Sequence, residues 1–225
     1  MTQRLPTSTF EGLATQDPSR GLVRAHDPRH RLLTPTRKTR LPHGYLGHGH
    51  MTLGSDILAV LAILKLPDQV LGEVETANLR SVQPDEWYPI RWLLALMESL
   101  DEHVGYYGLL RMGRTLFKMT HQERMKATSR SARHVLYGLD GMYRHANKGD
   151  RIGGWRVLRF EPGQAEVEKT TPHHCVMEQG LISAALIAAG CPGIVTQREC
   201  VRDGADACIF VVTSAFTNER WSGSV

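Results

Sequence analysis

Between Ser55 and Pro67, in SDILAVLAILKLP, the apolar residues Ile57, Leu58, Leu61 and Leu64 recur at three- and four-residue steps. That period predicts a helix with one buried face, capped by Ser55 or Asp56 and stopped by Pro67. A shorter helix is expected over 67–79. VQPDEWYPIRWLLALMESLDEHVG then places Ile90, Leu93, Leu94, Met97 and Leu100 on one face, behind Asp85 as cap and Glu86 in the first turn. A further helix is expected over 106–125, where Gly108 and Gly113 each cost about 1 kcal/mol relative to Ala. SARHVLYGLDGMYRHANKGD repeats the spacing with Val135, Leu139 and Met142, and Gly149 is placed to end it. Residues 55–148 therefore read as helical throughout.

Past Gly153 the period falls to two. In GWRVLRFEPGQAEVEKTTP, Trp155, Val157 and Arg159 alternate with Arg156, Leu158 and Phe160, and a turn at Glu161-Pro-Gly-Gln leads into Ala165 and Val167. This predicts a β-hairpin. CVMEQGLISAALIAAG, 175–190, reads as a helix whose Gly180, Ala184, Ala185 and Ala188 form a small-residue face, suited to close approach to a sheet. CPGIVTQRECV and DACIFVVTSAF are two more strands around the turn-forming Asp203-Gly204. The expected class is α+β: an N-terminal helical layer, 55–148, packed on an antiparallel β-sheet, 153–215, with one covering helix. The domain is bounded at 53–216, with a flexible C-terminus over 217–225.

Composition supports one soluble domain: 225 residues with 41% hydrophobic are enough for a core. No run approaches the ~18 apolar residues of a membrane span, and MTQRLPTSTF lacks the apolar stretch of a signal peptide, so the expected compartment is the cytoplasm. The net charge of +4 is uneven: residues 1–50 carry eight Lys/Arg against three acidic residues, and the rest of the chain 19 against 20. Residues 1–52, rich in Pro, Thr, Arg, Gly and His, bury too little to offset ordering entropy and read as a flexible tail. Such an arm suits nucleic acid, an anionic membrane surface or an acidic partner, or it is a solvated extension. His43, His48 and His50 sit among its glycines, where a loose metal site and a flexible linker are both open readings.

Chemistry enters with QRECVRDGADACIF, where Cys200 and Cys208 flank a turn. A reduced compartment disfavours a disulfide and leaves two readings, buried thiols in a hairpin core or ligands of a metal. Catalytic motifs are missing: the chain has no G-x-S-x-G elbow, Walker loop, strand-linked G-x-G-x-x-G or H-E-x-x-H. Glu161, Glu166 and Glu168 fall in a hairpin and read as a solvated face.

HHCVMEQGLISAALIAAG followed by ECVRDGADACIFVV resembles the C-terminal part of the 4-vinyl reductase domain family. That family is related to haem–nitric-oxide-binding domains and to a vesicle-tethering complex subunit. Cys175, Gly180, Glu199, Cys200, Gly204, Cys208 and Phe210 stand at the positions of its cysteine-led helix and E-C-x-x-x-G-x-x-x-C-x-F hairpin. WYPIRWLLALMESL is similar to a helix of uncharacterised bacterial members, and the likeness spans about 55–215.

The resemblance implies a structural zinc held by three cysteines and an acid, beside a pocket for a small hydrophobic or aromatic molecule. Cys175, Cys200 and Cys208 carry over as ligands. The acid's position holds Gln197 here, so Glu199, His174 or His173 would substitute. The cavity would lie between helices and sheet, with Trp155, Tyr137, His134, Phe160, Tyr107 and Met142 as candidate lining residues; each is equally an ordinary core residue. The relatives' tyrosine–serine–arginine haem motif is missing, and although His103 or His134 could ligate iron, haem is not expected. The implied function is a non-enzymatic sensory domain with zinc, acting through a homodimer or partner protein. The alternatives are a ligand-free interaction scaffold of the tethering-complex type, and an enzyme or carrier acting on a tetrapyrrole-like molecule.

Overall fold

A computed structural model describes residues 49–216 and 219–221. The expected basic tail, with His43 and His48, lies outside the described residues apart from its last few positions. Strand β1 (Met51–Leu53) leads directly into α1 (Gly54–Ile63). Pro67 opens the short α2 (Pro67–Leu71), as a residue without a helical N–H to lose can, and α3 (Glu73–Arg80) follows.

Two expectations for the helical layer need correction. Trp87–Pro89 is a strand, β2, and the long helix α4 (Ile90–Thr120) starts at Ile90 rather than behind Asp85. Pro89 explains the shift, since proline pushes the residue before it out of helical geometry. Asn147–Lys148 forms β3 where the next helix was expected to continue. The three short strands pair antiparallel in the order β2-β1-β3, so the layer is not helical throughout. The helix expected behind Asp85 and the one expected over 106–125 are joined across a kink at Gly105, whose φ of 60° and ψ of −175° suit only glycine. After α5 (Gln122–Thr128) comes α6 (Ala132–Ala146), whose cap Ser131 accepts a hydrogen bond from the His134 N–H at 3.2 Å.

The second sheet has the expected antiparallel strands β4 (Trp155–Glu161), β5 (Gln164–Lys169), β6 (Gly193–Glu199) and β7 (Cys208–Ser214), in the order β4-β5-β7-β6. A register shift between Val157 and Arg159 breaks the alternation, so that Phe160, not Arg159, follows Trp155 and Val157 towards the core. Helix α7 (Cys175–Ala188) is buried on nearly every side, with α4 against one face and the sheet core against another. A helix apolar all round is what such a central position requires.

The small residues of α7 serve a helix as well as the sheet. A Cβ on Gly180 would run into the Leu110 carbonyl of α4, and one on Gly113 of α4 into the Met177 carbonyl of α7. Gly113, a cost to its own helix, is what allows the two backbones to touch. One apolar cluster fills the space between α6, α7 and the sheet, and another joins α1, α3 and α4 to Met177.

Candidate functional site

Three elements end at one corner of the sheet. Cys175 is the first residue of α7, Cys200 follows β6, and Cys208 opens β7. Their sulfurs lie within 4.8 Å of one another, with Cys175 to Cys208 at 3.2 Å and Cys175 to Cys200 at 3.7 Å. Thiolates about 2.3 Å from a tetrahedral zinc are roughly 3.8 Å apart, so the trio fits that ion. The Val201 N–H points at the Cys208 sulfur from 3.4 Å, and Gly204 in the left-handed region closes the turn. The thiols do not share protons evenly. Hydrogen bonds from Cys175 and Cys200 hold the Cys208 thiol far below its ordinary value, and those with Cys175 and Cys208 push Cys200 far up. A recess of about 270 Å³ lined by Gln197, Arg198, Glu199, Asp203 and Ala205 opens beside Cys200.

None of the expected fourth ligands turns to the cluster. Glu199 is exposed and pairs with Arg198 at 3.5 Å, and Gln197 donates to the Glu199 carbonyl at 3.2 Å. His174 contacts Asp101 through Nε2 at 3.0 Å, and His173 contacts Glu178 through Nδ1 at 3.0 Å. A residue the sequence reading passed over stands there instead: the Lys169 ammonium, 3.7 Å from the Cys175 sulfur, donates to the carbonyls of Thr171 and His173 at 2.9 and 2.8 Å. Burial lowers its pKa, and the charges of Cys175, Cys208, Glu178 and Cys200 more than reverse this, leaving it above the ordinary lysine value. Its position was legible, because Ala165, Val167 and Lys169 alternate inward along β5 and Lys169 faces Cys208 across β7.

A second feature lies between α4, α6 and α7: a partly open cavity of about 30 Å³, room for one or two waters. Trp155 and Met142 line it, with Leu93, Met97, Leu139 and Leu181. Asp140 of α6 accepts the Trp155 N–H at 2.9 Å and is itself held by Arg144 at 2.7 Å, which fixes where the indole enters. The other expected lining residues fall elsewhere. Tyr107, Tyr137 and His134 are exposed, and Phe160 stacks on Trp221 with ring centroids 6.2 Å apart. Polar residues share the cavity: Asp56 and His173, expected as a helix cap and a zinc ligand, and His121, Asn147 and Glu178, which were not singled out from the sequence. Burial raises the Asp56 carboxyl to about 6 and lowers His121 to about 4. Asp56 had been read as a cap, but α1 has no side-chain cap and the carboxylate is buried inside its first turn.

No family model and no curated protein matches the chain. Solved structures do. It is similar to an Fe(II) unliganded H-NOX protein from K. algicida, with 12% identity and a TM-score of 0.56 over 73% of this chain and 97% of that one. An S. oneidensis H-NOX protein in the Fe(II)NO ligation state has 13% identity and a TM-score of 0.55 over 72% and 99%. At such identities the likeness establishes the fold, which is that of the haem–nitric-oxide-binding side of the expected kinship. Kinship with the 4-vinyl reductase family rests on the sequence motif alone.

The expectation against haem gains nothing from these neighbours. Within this chain, a cavity of about 30 Å³ is far too small for a porphyrin. His103 and His134 are both exposed. In this conformation the residues do not fit a porphyrin, and no role is derived from one. Among the described residues, no helix is long and apolar enough to cross a membrane.

Proposed function

We propose that this protein is a small-molecule-binding sensory domain, without catalysis of its own, whose sheet is clamped by a zinc ion on Cys175, Cys200 and Cys208. The observation that carries the reading is a cavity among the helices, with Trp155 and Met142 in an apolar wall and polar groups beside them. Apolar walls with a few convergent polar groups characterise ligand sites. The H-NOX-like fold, whose neighbours include a protein solved with NO on its iron, supports the same reading. Zinc would tie α7 to the β6–β7 hairpin. Both elements are also braced to α4, by His174 with Asp101 and by Arg202 with Glu98. Output would pass through a second copy or a partner protein.

Elemental analysis and native mass spectrometry of tag-free protein, grown with zinc and a haem precursor, test this. One zinc per chain, lost in Cys200→Ser/Cys208→Ser, together with a ligand-bound species, is the expected result. Absence of zinc from reduced, chelator-free protein overturns the clamp. A ligand-free species that assembles as a dimer overturns the sensor in favour of a scaffold, and a haem absorbance band overturns the exclusion of a porphyrin.

A further inference from the structure

Apart from His121, whose neutral ring carries one N–H, the polar side of the cavity is made of acceptors. Asp56 and Glu178 are carboxylates with 6% and 5% exposure. Because His173 meets Glu178 through Nδ1, its proton belongs there in the neutral ring and Nε2 is left as an acceptor; that atom is buried and has no partner. Asn147, 2% exposed, spends its amide N–H on the Tyr143 carbonyl at 3.0 Å and leaves Oδ1 buried without a partner. The Tyr143 hydroxyl is spent too, donating to the Ile152 carbonyl at 2.6 Å. No lysine or arginine lines the space. The Lys169 ammonium senses Glu178 but is committed to two carbonyls beside the cysteines.

Buried acceptors and unpaired charge are costly unless something donates to them. A phenol or alcohol brings one donor, and a carboxylate brings only repulsion. An ammonium group brings three donors and the opposite charge. Resting on the reading of this cavity as a ligand site, we propose that it binds a short primary amine as its ammonium ion, held by Asp56, the Asn147 carbonyl oxygen and His173 Nε2, with the alkyl part against Met97, Met142 and Leu181. The volume limits a rigid cavity to a few heavy atoms. Burial raises the Asp56 carboxyl, with Glu178 adding to this and His173 the one group opposing it.

The full-length protein is titrated with methylamine, ethylamine and n-butylamine, and with ethanol, n-butanol, acetate and phenol as matched probes. Thermal shift and indole chemical shifts are followed at neutral pH and constant ionic strength, with potassium as the charge control. Saturable binding of the amines but not the alcohols, weakened at least roughly thirtyfold in Asp56→Asn, is expected, since breaking a buried charge pair costs about 2 kcal/mol or more. Glu178→Gln should weaken it in the same direction. Phenol or alcohol binding that Asp56→Asn leaves unchanged would overturn the amine and keep the pocket. A folded protein that binds no probe of either kind would overturn the pocket as well.

Discussion

The Lys169 ammonium lies 3.7 Å from the sulfur of Cys175, in a strand position with 1% exposure. A buried lysine normally loses its proton, and this one keeps it because the charges of Cys175, Cys208, Glu178 and Cys200 outweigh the cost of burial. Three thiolates on one zinc would leave an excess negative charge that the ammonium would offset. Lys169→Met keeps the volume and removes the charge. It is expected to cost about 3–5 kcal/mol in urea denaturation, as removal of one partner of a buried pair does. In metal-free protein, the ultraviolet absorbance of the thiolate at neutral pH should fall, because Lys169 is one of the groups holding Cys208 ionised. Unchanged stability and absorbance would mean that the ammonium is a bystander.

Two glycines of α4 are held by different constraints, and substitution separates them. At Gly105 a Cβ meets nothing within 4 Å, but the φ of 60° with extended ψ is strained for any other residue. Gly105→Ala is therefore expected to cost on the order of 1–3 kcal/mol through the backbone alone. Gly113 has room for neither a methyl nor a shift, with the Met177 backbone against it. Gly113→Ala should separate α4 from α7, cost about 3 kcal/mol or more, and disturb the near-ultraviolet signal of Trp155. Equal, small costs at the two positions would contradict the close helix crossing.

The brace between the cysteine hairpin and α4 is also testable. Arg202 and Glu98 pair with side chains 14% and 16% exposed, and burial brings the Arg202 guanidinium down to about 10. Removing Glu98 strands a buried cation. Glu98→Gln is expected to destabilise by about 3 kcal/mol, and Arg202→Met/Glu98→Leu to recover much of it, since the paired apolar replacement removes both desolvation costs. Hydrogen exchange at Val201–Gly204 would report whether the hairpin loosens in the single variant.

Periodicity was enough for the α+β class, the β4–β5 hairpin, α7 and the β6–β7 pair, because each is a long run with one clear period. It was not enough where a tertiary partner overrides a local preference. The three-residue strands β1 and β2 are too short to show alternation, and they exist because they pair with each other. Asp56 has the residue type and position of a cap, and only the packing of α1 against α4 turns it inward. The cysteine trio was visible through its motif. Lys169 was equally visible as an inward position of β5, but a lysine there breaks the rule that inward means apolar. Tyr107, Tyr137 and His134 were expected at the cavity because of their residue types, and helix phase puts them on the surface.

Two buried groups of the cavity make opposite demands on pH. Asp56 has its pKa raised to about 6, first by burial, so the folded state holds its proton more tightly than the unfolded chain. Its contribution opposes folding, growing as pH rises from about 4 to about 6 and then staying constant. His121 has its pKa lowered to about 4, again first by burial, with Glu178 opposing and His145, Arg124 and His173 adding to the shift. Its contribution is complete above about 6.5 and is lost as pH falls towards about 4. Between pH ~4 and ~6 the two slopes oppose each other and the stability of the native protein should change little through these groups. Asp56→Asn removes one slope. The variant should be more stable than the native protein at neutral pH, by about 3 kcal/mol at 1.36 kcal/mol per unit, and should lose that advantage on acidification. Urea denaturation of both proteins across this range gives the answer. Curves that run parallel at all pH values would show that Asp56 is already neutralised, by a cation in the cavity or by a proton shared with Glu178.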